Sequence, residues 1–131
     1  MKTIVCLIGL TLVATVADLH SEDIGAGGII IRPLLMGYEG PCPVVVHFRG
    51  TIYHTPSHVK VRYRWERTHG KRTREQLGEI PEGGLEVGDD FAMGRPGHSF
   101  VATDRLHVWW IEGKKAHQVT RRVESTGTCI P

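Results

Sequence analysis

The stretch VKVRYRWE, residues 59–66, decides the fold class because the character of its side chains alternates strictly. The odd positions carry apolar or aromatic side chains: Val59, Val61, Tyr63 and Trp65. The even positions carry charged side chains: Lys60, Arg62, Arg64 and Glu66. Alternation with a period of two is typical of a β-strand with one buried face and one solvated face. We therefore predict a strand here, with Trp65 and Tyr63 in the core.

Further strands are predicted on both sides of this stretch. Residues 44–53 alternate in the same way and place Phe48 on the apolar face, so Phe48 is a third predicted core residue. Weaker strand patterns cover residues 29–31, 85–91, 99–102, 106–111 and 118–124, and a turn at 103–105 separates two of them. Short strands punctuated by glycine and proline favour an all-β antiparallel sandwich or barrel.

Residues 1–17 have the pattern of a secretory signal peptide. Lys2 is followed by an uncharged apolar run, and Thr15 and Ala17 are small residues at the expected cleavage positions. A membrane anchor is the alternative, but the run is shorter than the roughly 20 residues that a spanning helix needs. We predict cleavage after Ala17, a secreted or periplasmic location, and no membrane span in the remaining chain.

The chain after Ala17 is predicted to consist of a flexible segment and one domain. Residues 18–28 are polar and then glycine-rich, which suits a flexible tether. Residues 29–131 have the length of a single domain that is able to bury a core. We therefore expect one folded unit after the leader.

Two cysteines, Cys42 and Cys129, remain after removal of the leader, which contains Cys6. Secreted proteins meet oxidising conditions, so an even number of cysteines predicts a disulfide. Two free thiols or an intermolecular bridge are the alternative. Two cysteines that bracket a tryptophan, here Trp65, in an alternating β-sequence favour an immunoglobulin-like sandwich that is closed by one disulfide.

Three motifs resemble those of an immunoglobulin-like domain of secreted bacterial proteins. They are the Gly-Pro-Cys-Pro sequence at 40–43, the Tyr-Arg-Trp sequence at 63–65 and the closing cysteine, Cys129. The resemblance implies an immunoglobulin-like fold and a secreted location, and it brings no catalytic residues. The chain lacks the tyrosine corner of antibody domains, because glycine occupies position 127. We therefore expect the bridge to join the final strand to the opening strand of the domain.

A cluster of basic residues with a tryptophan on another strand is the best candidate for a ligand-binding site. Lys60, Arg62 and Arg64 project from one strand face, and Trp109 points away from the predicted core side of its own strand. Such a surface suits an anionic glycan, a lipid headgroup or an acidic protein. Nucleic acid fits the charge but not a secreted location. The alternative is a solvated face that is neutralised by the carboxylates of residues 75–90.

Catalytic and metal sites have weaker support in the sequence. The chain has eight histidines, but no spacing among them is typical of a zinc site with three or four ligands. It has no Gly-x-Ser-x-Gly motif, and its acidic stretch shows no defined carboxylate pair. We therefore predict no cofactor, no metal ion and no catalytic residue. A small metal-binding or hydrolytic envelope protein built on the histidines is the alternative.

The sequence as a whole predicts a secreted, non-catalytic binding or cell-envelope interaction module. Its expected partner is an extracellular or envelope protein, or an anionic glycan, and nucleic acid is not expected. Binding of an anionic glycan or lipid through the basic strand face is the main alternative within this class.

Overall fold

The computed structural model of the protein describes residues 27–131. The predicted signal peptide and residues 18–26 of the predicted flexible segment lie outside the described residues. The described chain forms eight strands: β1 (Gly27–Pro33), β2 (Tyr38–Gly40), β3 (Val44–His54), β4 (Lys60–Arg67), β5 (Gln76–Glu79), β6 (Leu85–Met93), β7 (Ser99–Glu112) and β8 (Lys115–Cys129). A single 3-10 turn, Thr68–Gly70, follows β4. No helix within these residues has the length and apolar character needed to cross a membrane.

The strands form two sheets. One sheet has the order β1-β3-β6, and the other has the order β2-β8-β7-β4-β5. Neighbouring strands are antiparallel except for β2 and β8, which are parallel. Buried side chains from both sheets pack into one hydrophobic cluster: Ile29, Val46, Phe48, Ile52, Val61, Trp65, Ile80, Val87, Phe100, Ala102, Leu106, Val108 and Cys129. The predicted all-β class is confirmed, and the two sheets share one core.

The three predicted core residues lie on β3 and β4. Phe48 is 0% exposed and Trp65 is 1% exposed, so both are fully inside the cluster. Tyr63 is half-buried, because its ring packs against the cluster while its hydroxyl donates a hydrogen bond to Oε1 of Gln76 at 3.1 Å. Burial raises the pKa of the Tyr63 hydroxyl. The aromatic residues of the two alternating stretches therefore meet between the sheets, with Tyr63 at the margin.

The predicted turn at 103–105 is wrong, because β7 runs without interruption from Ser99 to Glu112. Both neighbouring strands pair with it through this region, since Asp104 is opposite Arg67 on β4 and Thr103 is opposite Glu124 on β8. A strand with partners on both sides has its backbone hydrogen bonds satisfied, so three polar residues do not end it. The two predicted strands at 99–102 and 106–111 are therefore one strand.

Other strand boundaries also differ from the sequence-based expectation. The edge strands β2 and β5 were not predicted, because three or four residues are too few to show alternation. The final strand extends from Lys115 to Cys129, beyond the predicted 118–124. β1 begins at Gly27, inside the predicted flexible segment, and a Cβ atom at Gly27 would lie 3.3 Å from the Trp110 ring. Glycine therefore permits the first strand to approach β7 closely.

The predicted disulfide between Cys42 and Cys129 is confirmed, and the Cα atoms of the two residues lie 5.5 Å apart. Cys42 lies in the connection between β2 and β3, and Cys129 ends β8. Since β2 and β3 belong to different sheets, the bridge ties the crossover between the sheets to the end of β8, beside the pairing of Gly40 with Cys129.

Gly94 packs directly against this disulfide, and its replacement by alanine should destabilise the protein. Gly94 has a φ of +95°, and an added Cβ would lie 2.6 Å from Sγ of Cys129 and 2.9 Å from Sγ of Cys42. We expect Gly94→Ala to lower the free energy of unfolding by about 1–3 kcal/mol, as measured by urea denaturation. Gly113→Ala is the matched control, because Gly113 has a φ of +64° but no atom near its Cβ position. Equal losses in the two variants would contradict the proposed clash.

Candidate functional site

The outer face of the five-stranded sheet carries all the predicted ligand-binding residues. Lys60, Arg62 and Arg64 alternate with the inward-facing residues of β4. Trp109 lies on the adjacent strand β7, directly opposite Arg62, and Arg64 is directly opposite His107. The fold therefore brings the predicted residues together, and we call Lys60, Arg62, Arg64 and Trp109 the basic face.

Within the basic face, Arg64 is held against Trp109. The guanidinium carbon of Arg64 lies 5.2 Å from the centroid of the Trp109 ring, and the His107 ring stacks on Trp109 with its centroid 5.9 Å away. A cation at this distance is attracted to the face of the aromatic ring. The Nε atom of Arg64 is buried without a hydrogen-bond partner, and no carboxylate of residues 27–131 forms an ion pair with Arg64. Arg64 therefore keeps its capacity to bind an anion.

The other two cations of the basic face are also only weakly neutralised. Lys60 forms no ion pair within the described part of the chain, although Glu79 is directly opposite it on β5. Glu79 instead lies beside His58, with 3.3 Å between Oε2 and Nδ1. Arg62 lies 3.4 Å from Oε2 of Glu75, and both side chains are exposed. Exposed pairs of this kind contribute little stability, so the basic face keeps a positive charge.

The acidic stretch of residues 75–90 lies mostly away from the basic face. Its last two carboxylates belong to β6, in the other sheet: Asp89 binds Arg67, and Asp90 binds Arg49. The Arg49 guanidinium lowers the pKa of Asp90 through a hydrogen bond of 2.7 Å. Among the described residues, one ion pair, between Arg62 and Glu75, connects the acidic stretch to the basic face.

A groove of about 860 Å³ adjoins the basic face and crosses β5, β4, β7 and β8. Lys60, Arg62 and Trp109 line it together with Leu77 and Ile111. Leu77 is 77% exposed and Ile111 is 69% exposed, which is high for aliphatic side chains. Small-molecule sites usually enclose about 300–1,000 Å³. The groove therefore has the size of a ligand site and places aliphatic side chains beside cations.

The histidines of the described chain are spread over both sheets and their connections. His54 and His117 approach the same carboxylate, since their Nε2 atoms lie 3.9 Å and 3.5 Å from Oε1 of Glu112. Nδ1 of His54 lies 2.8 Å from the carbonyl oxygen of Pro56, which can only accept, so Nδ1 carries the proton. Residues 27–131 contain no group of three or more histidine, cysteine, aspartate or glutamate side chains that could hold a metal ion.

A buried charged cluster between the two sheets was not predicted from the sequence. It consists of Arg67 on β4, Asp89 on β6 and Asp104 on β7. Arg67 donates to both carboxylate oxygens of Asp89, at 3.0 Å from Nε and 2.7 Å from Nη2. The guanidinium carbon of Arg67 also lies 5.2 Å from the centroid of the Phe91 ring. Because β6 belongs to the three-stranded sheet, these contacts join the two sheets.

Asp104 is the fully buried member of this cluster, with 0% of its surface exposed. Its Oδ1 atom accepts a hydrogen bond from the backbone N–H of Arg105 at 3.1 Å. Its Oδ2 atom has no donor partner among the described residues, and the carboxylate of Asp89 lies beside it. Burial, followed by the proximity and negative charge of the Asp89 carboxylate, raises the pKa of Asp104 to about 9. Asp104 is therefore protonated at neutral pH and is able to donate a hydrogen bond to Asp89.

No family model matches the chain, and no curated protein or solved structure matches it either. The resemblance to an immunoglobulin-like domain of secreted bacterial proteins therefore stays a prediction, as do the signal peptide and the expected partners. The disulfide itself is typical of proteins in oxidising compartments.

Proposed function

We propose that this chain is a secreted, non-catalytic binding module with an immunoglobulin-like sandwich fold, and that it binds an anionic ligand at the basic face. Two sheets around one core, and a disulfide at the crossover from one sheet to the other, support the sandwich. The buried position of Asp104, whose carboxyl is not accessible to a substrate, supports a non-catalytic role for the acidic pair. Lys60 and Arg64, which form no ion pair among the described residues, support a negative charge on the ligand.

The position of Arg64 carries this proposal. Contact with Trp109 holds the guanidinium in place, so little conformational freedom is lost when an anion binds. A guanidinium presents two parallel N–H groups to a carboxylate, sulfate or phosphate group, which makes arginine well suited to these anions. Lys60 and Arg62 on the same strand face add charge. We infer that the ligand presents such a group, as an anionic glycan or an anionic lipid headgroup does.

Loss of two cations from the basic face should weaken binding to an anionic polymer. We expect the double variant Lys60→Ala/Arg64→Ala to bind dextran sulfate at least about tenfold more weakly, because hydrogen bonds to charged groups contribute about 1.5–3 kcal/mol each. Binding by the unmodified protein should also weaken as salt is added, since exposed charges are screened. Surface plasmon resonance with immobilised dextran sulfate, and with neutral dextran as reference, measures both effects.

The matched control is Arg32→Ala/Arg95→Ala, which removes two cations that are exposed and lie outside the basic face. This control variant should keep most of the affinity for dextran sulfate. Equal losses in the two double variants would show that net charge, rather than the basic face, determines binding. Salt-insensitive binding would likewise count against an anionic site.

A further inference from the structure

We propose that the ligand of the basic face is a single-chain anionic amphiphile, whose headgroup binds the cations and whose aliphatic chain lies in the adjoining groove. This inference rests on the proposed anionic ligand and adds an apolar component to it. A fatty acid and a lysophospholipid with an anionic headgroup both have this chemistry.

The first support is the position of the exposed aliphatic side chains. Leu77 on β5 is directly opposite Arg62, and Trp109 on β7 is directly opposite Arg62 on its other side. Arg62 therefore lies between two apolar side chains in one row across the sheet. Ile111 follows Trp109 by two residues in the same strand, so it points to the same face. Exposed apolar side chains that cluster in this way mark a ligand groove, whereas isolated ones need no explanation.

The second support is the position of apolar side chains on the side of Trp109 that faces away from Arg64. Arg64 and His107 contact Trp109 from the side that precedes it in β7. Ile111 and its opposite residue on β8, Ala116, lie on the side that follows it, inside the groove. An anionic headgroup at Arg64 therefore leaves its chain free to extend over Trp109 toward Ile111.

Lys60 lines the same part of the groove as Ile111, and its aliphatic stem fits the apolar component of the ligand. Its Cα is opposite Glu79, but its ammonium group forms no ion pair within the described residues. The aliphatic stem of a lysine packs against apolar groups while its charge stays in water. Lys60 is thus placed to cover an aliphatic chain with its stem while its ammonium group stays in water.

The dimensions of the groove favour one small amphiphile over a polymer or a bilayer. From His107, which is opposite Arg64, to Ile111 the surface extends about 13 Å along β7, at about 3.3 Å per residue. An anionic polysaccharide would leave Leu77 and Ile111 in contact with water. Insertion into a bilayer needs a continuous apolar surface, whereas Leu77 and Ile111 share this surface with Lys60, Arg62 and Glu79.

The test is calorimetric titration of the protein with lysophosphatidylglycerols that carry octanoyl, decanoyl or dodecanoyl chains, each below its critical micelle concentration. We expect the affinity to rise about two- to fourfold for each added methylene group that enters the groove. Complete burial of a methylene group contributes about 0.8 kcal/mol, or about fourfold in affinity, and burial in an open groove is incomplete. Lysophosphatidylcholine of the same chain length should bind more weakly, since its headgroup has no net charge.

Two variants separate the groove from the cations. Leu77→Ser/Ile111→Ser should abolish the dependence on chain length while dextran sulfate still binds. Val101→Ser is the matched control, because Val101 is exposed on the same strand as Ile111 but lies outside the groove. This control should keep the dependence on chain length.

The outcomes are distinguishable. Affinity for lysophosphatidylglycerol that does not change with chain length overturns the amphiphile and leaves the proposed anionic site standing. Failure to bind both dextran sulfate and lysophosphatidylglycerol overturns the two proposals together. Binding to phosphatidylglycerol vesicles but not to the monomeric lysolipid also overturns this inference, because it identifies a membrane surface as the ligand.

Discussion

Replacement of Asp104 by asparagine should stabilise the protein, and the gain should grow as the pH rises. The folded state holds a proton on Asp104 up to about pH 9, whereas the unfolded chain releases it near pH 4. Stability due to this group is therefore complete below about pH 4 and is lost progressively as the pH rises toward 9. Asparagine keeps the shape of the protonated acid and is able to donate to Asp89 without this loss.

The measurement is the free energy of unfolding of both proteins by urea denaturation between about pH 5 and pH 8. Over this range the difference between Asp104→Asn and the unmodified protein should grow by about 2–4 kcal/mol, since each pH unit contributes up to about 1.4 kcal/mol. Glu124→Gln is the control, because Glu124 is an exposed carboxylate on the neighbouring strand β8 and should show no comparable rise.

Asp89→Asn should have the opposite effect, although Asp89 belongs to the same cluster. It removes the negative charge opposite Arg67 and one of the two acceptor oxygens, so Arg67 loses one hydrogen bond and the other becomes weaker. We expect a loss of about 2–3 kcal/mol. If Asp104→Asn proves less stable than the unmodified protein at pH 8, Asp104 is not protonated in the folded state and this prediction is wrong.

Removal of the disulfide should cost a large fraction of the stability of the domain. Cys42 and Cys129 are separated by 87 residues, and a cross-link over a loop of this length restricts the unfolded chain strongly. We expect Cys42→Ala/Cys129→Ala to lower the free energy of unfolding by about 4–5 kcal/mol, a substantial part of the roughly 5–15 kcal/mol of small proteins. Urea denaturation of both proteins at one pH measures the loss.

The unmodified protein under reducing conditions is the control for this double variant. Both lack the cross-link, so their urea midpoints should agree closely and lie well below that of the oxidised protein. A loss below about 1 kcal/mol would mean that the packing of the two sheets, rather than the bridge, keeps this end of the domain closed.

The parts of the fold that the sequence predicts well are those with a local signal. Alternation in β3 and β4 places Phe48 and Trp65 inside, because a strand sends successive side chains to opposite faces. The same rule places Lys60, Arg62 and Arg64 on the outside. The short strands β2 and β5 escape prediction, since their pairing with β8 and β4 defines them more than their own residues do.

The buried cluster of Arg67, Asp89 and Asp104 shows where local reasoning fails. If β7 is continuous, Asp104 lies on the same face as Ala102 and Leu106, which are buried. This two-residue spacing is visible in the sequence and indicates burial of Asp104. The sequence pattern predicts a turn at this charged residue, whereas the structure buries it, although burial of an unpaired charge is costly. The cost is offset only by partners on β4 and β6, which are distant in sequence.

By itself the sequence determined the all-β class, the disulfide and which side chains of each clear strand face outward, because these depend on the two-residue period and on the number of cysteines. Only the tertiary structure decided which outward-facing residues become neighbours. The register of β4 against β7 places Arg62 opposite Trp109, and β5 adds Leu77 on the other side. Such contacts depend on backbone pairing between strands far apart in the chain, and no local pattern specifies that register.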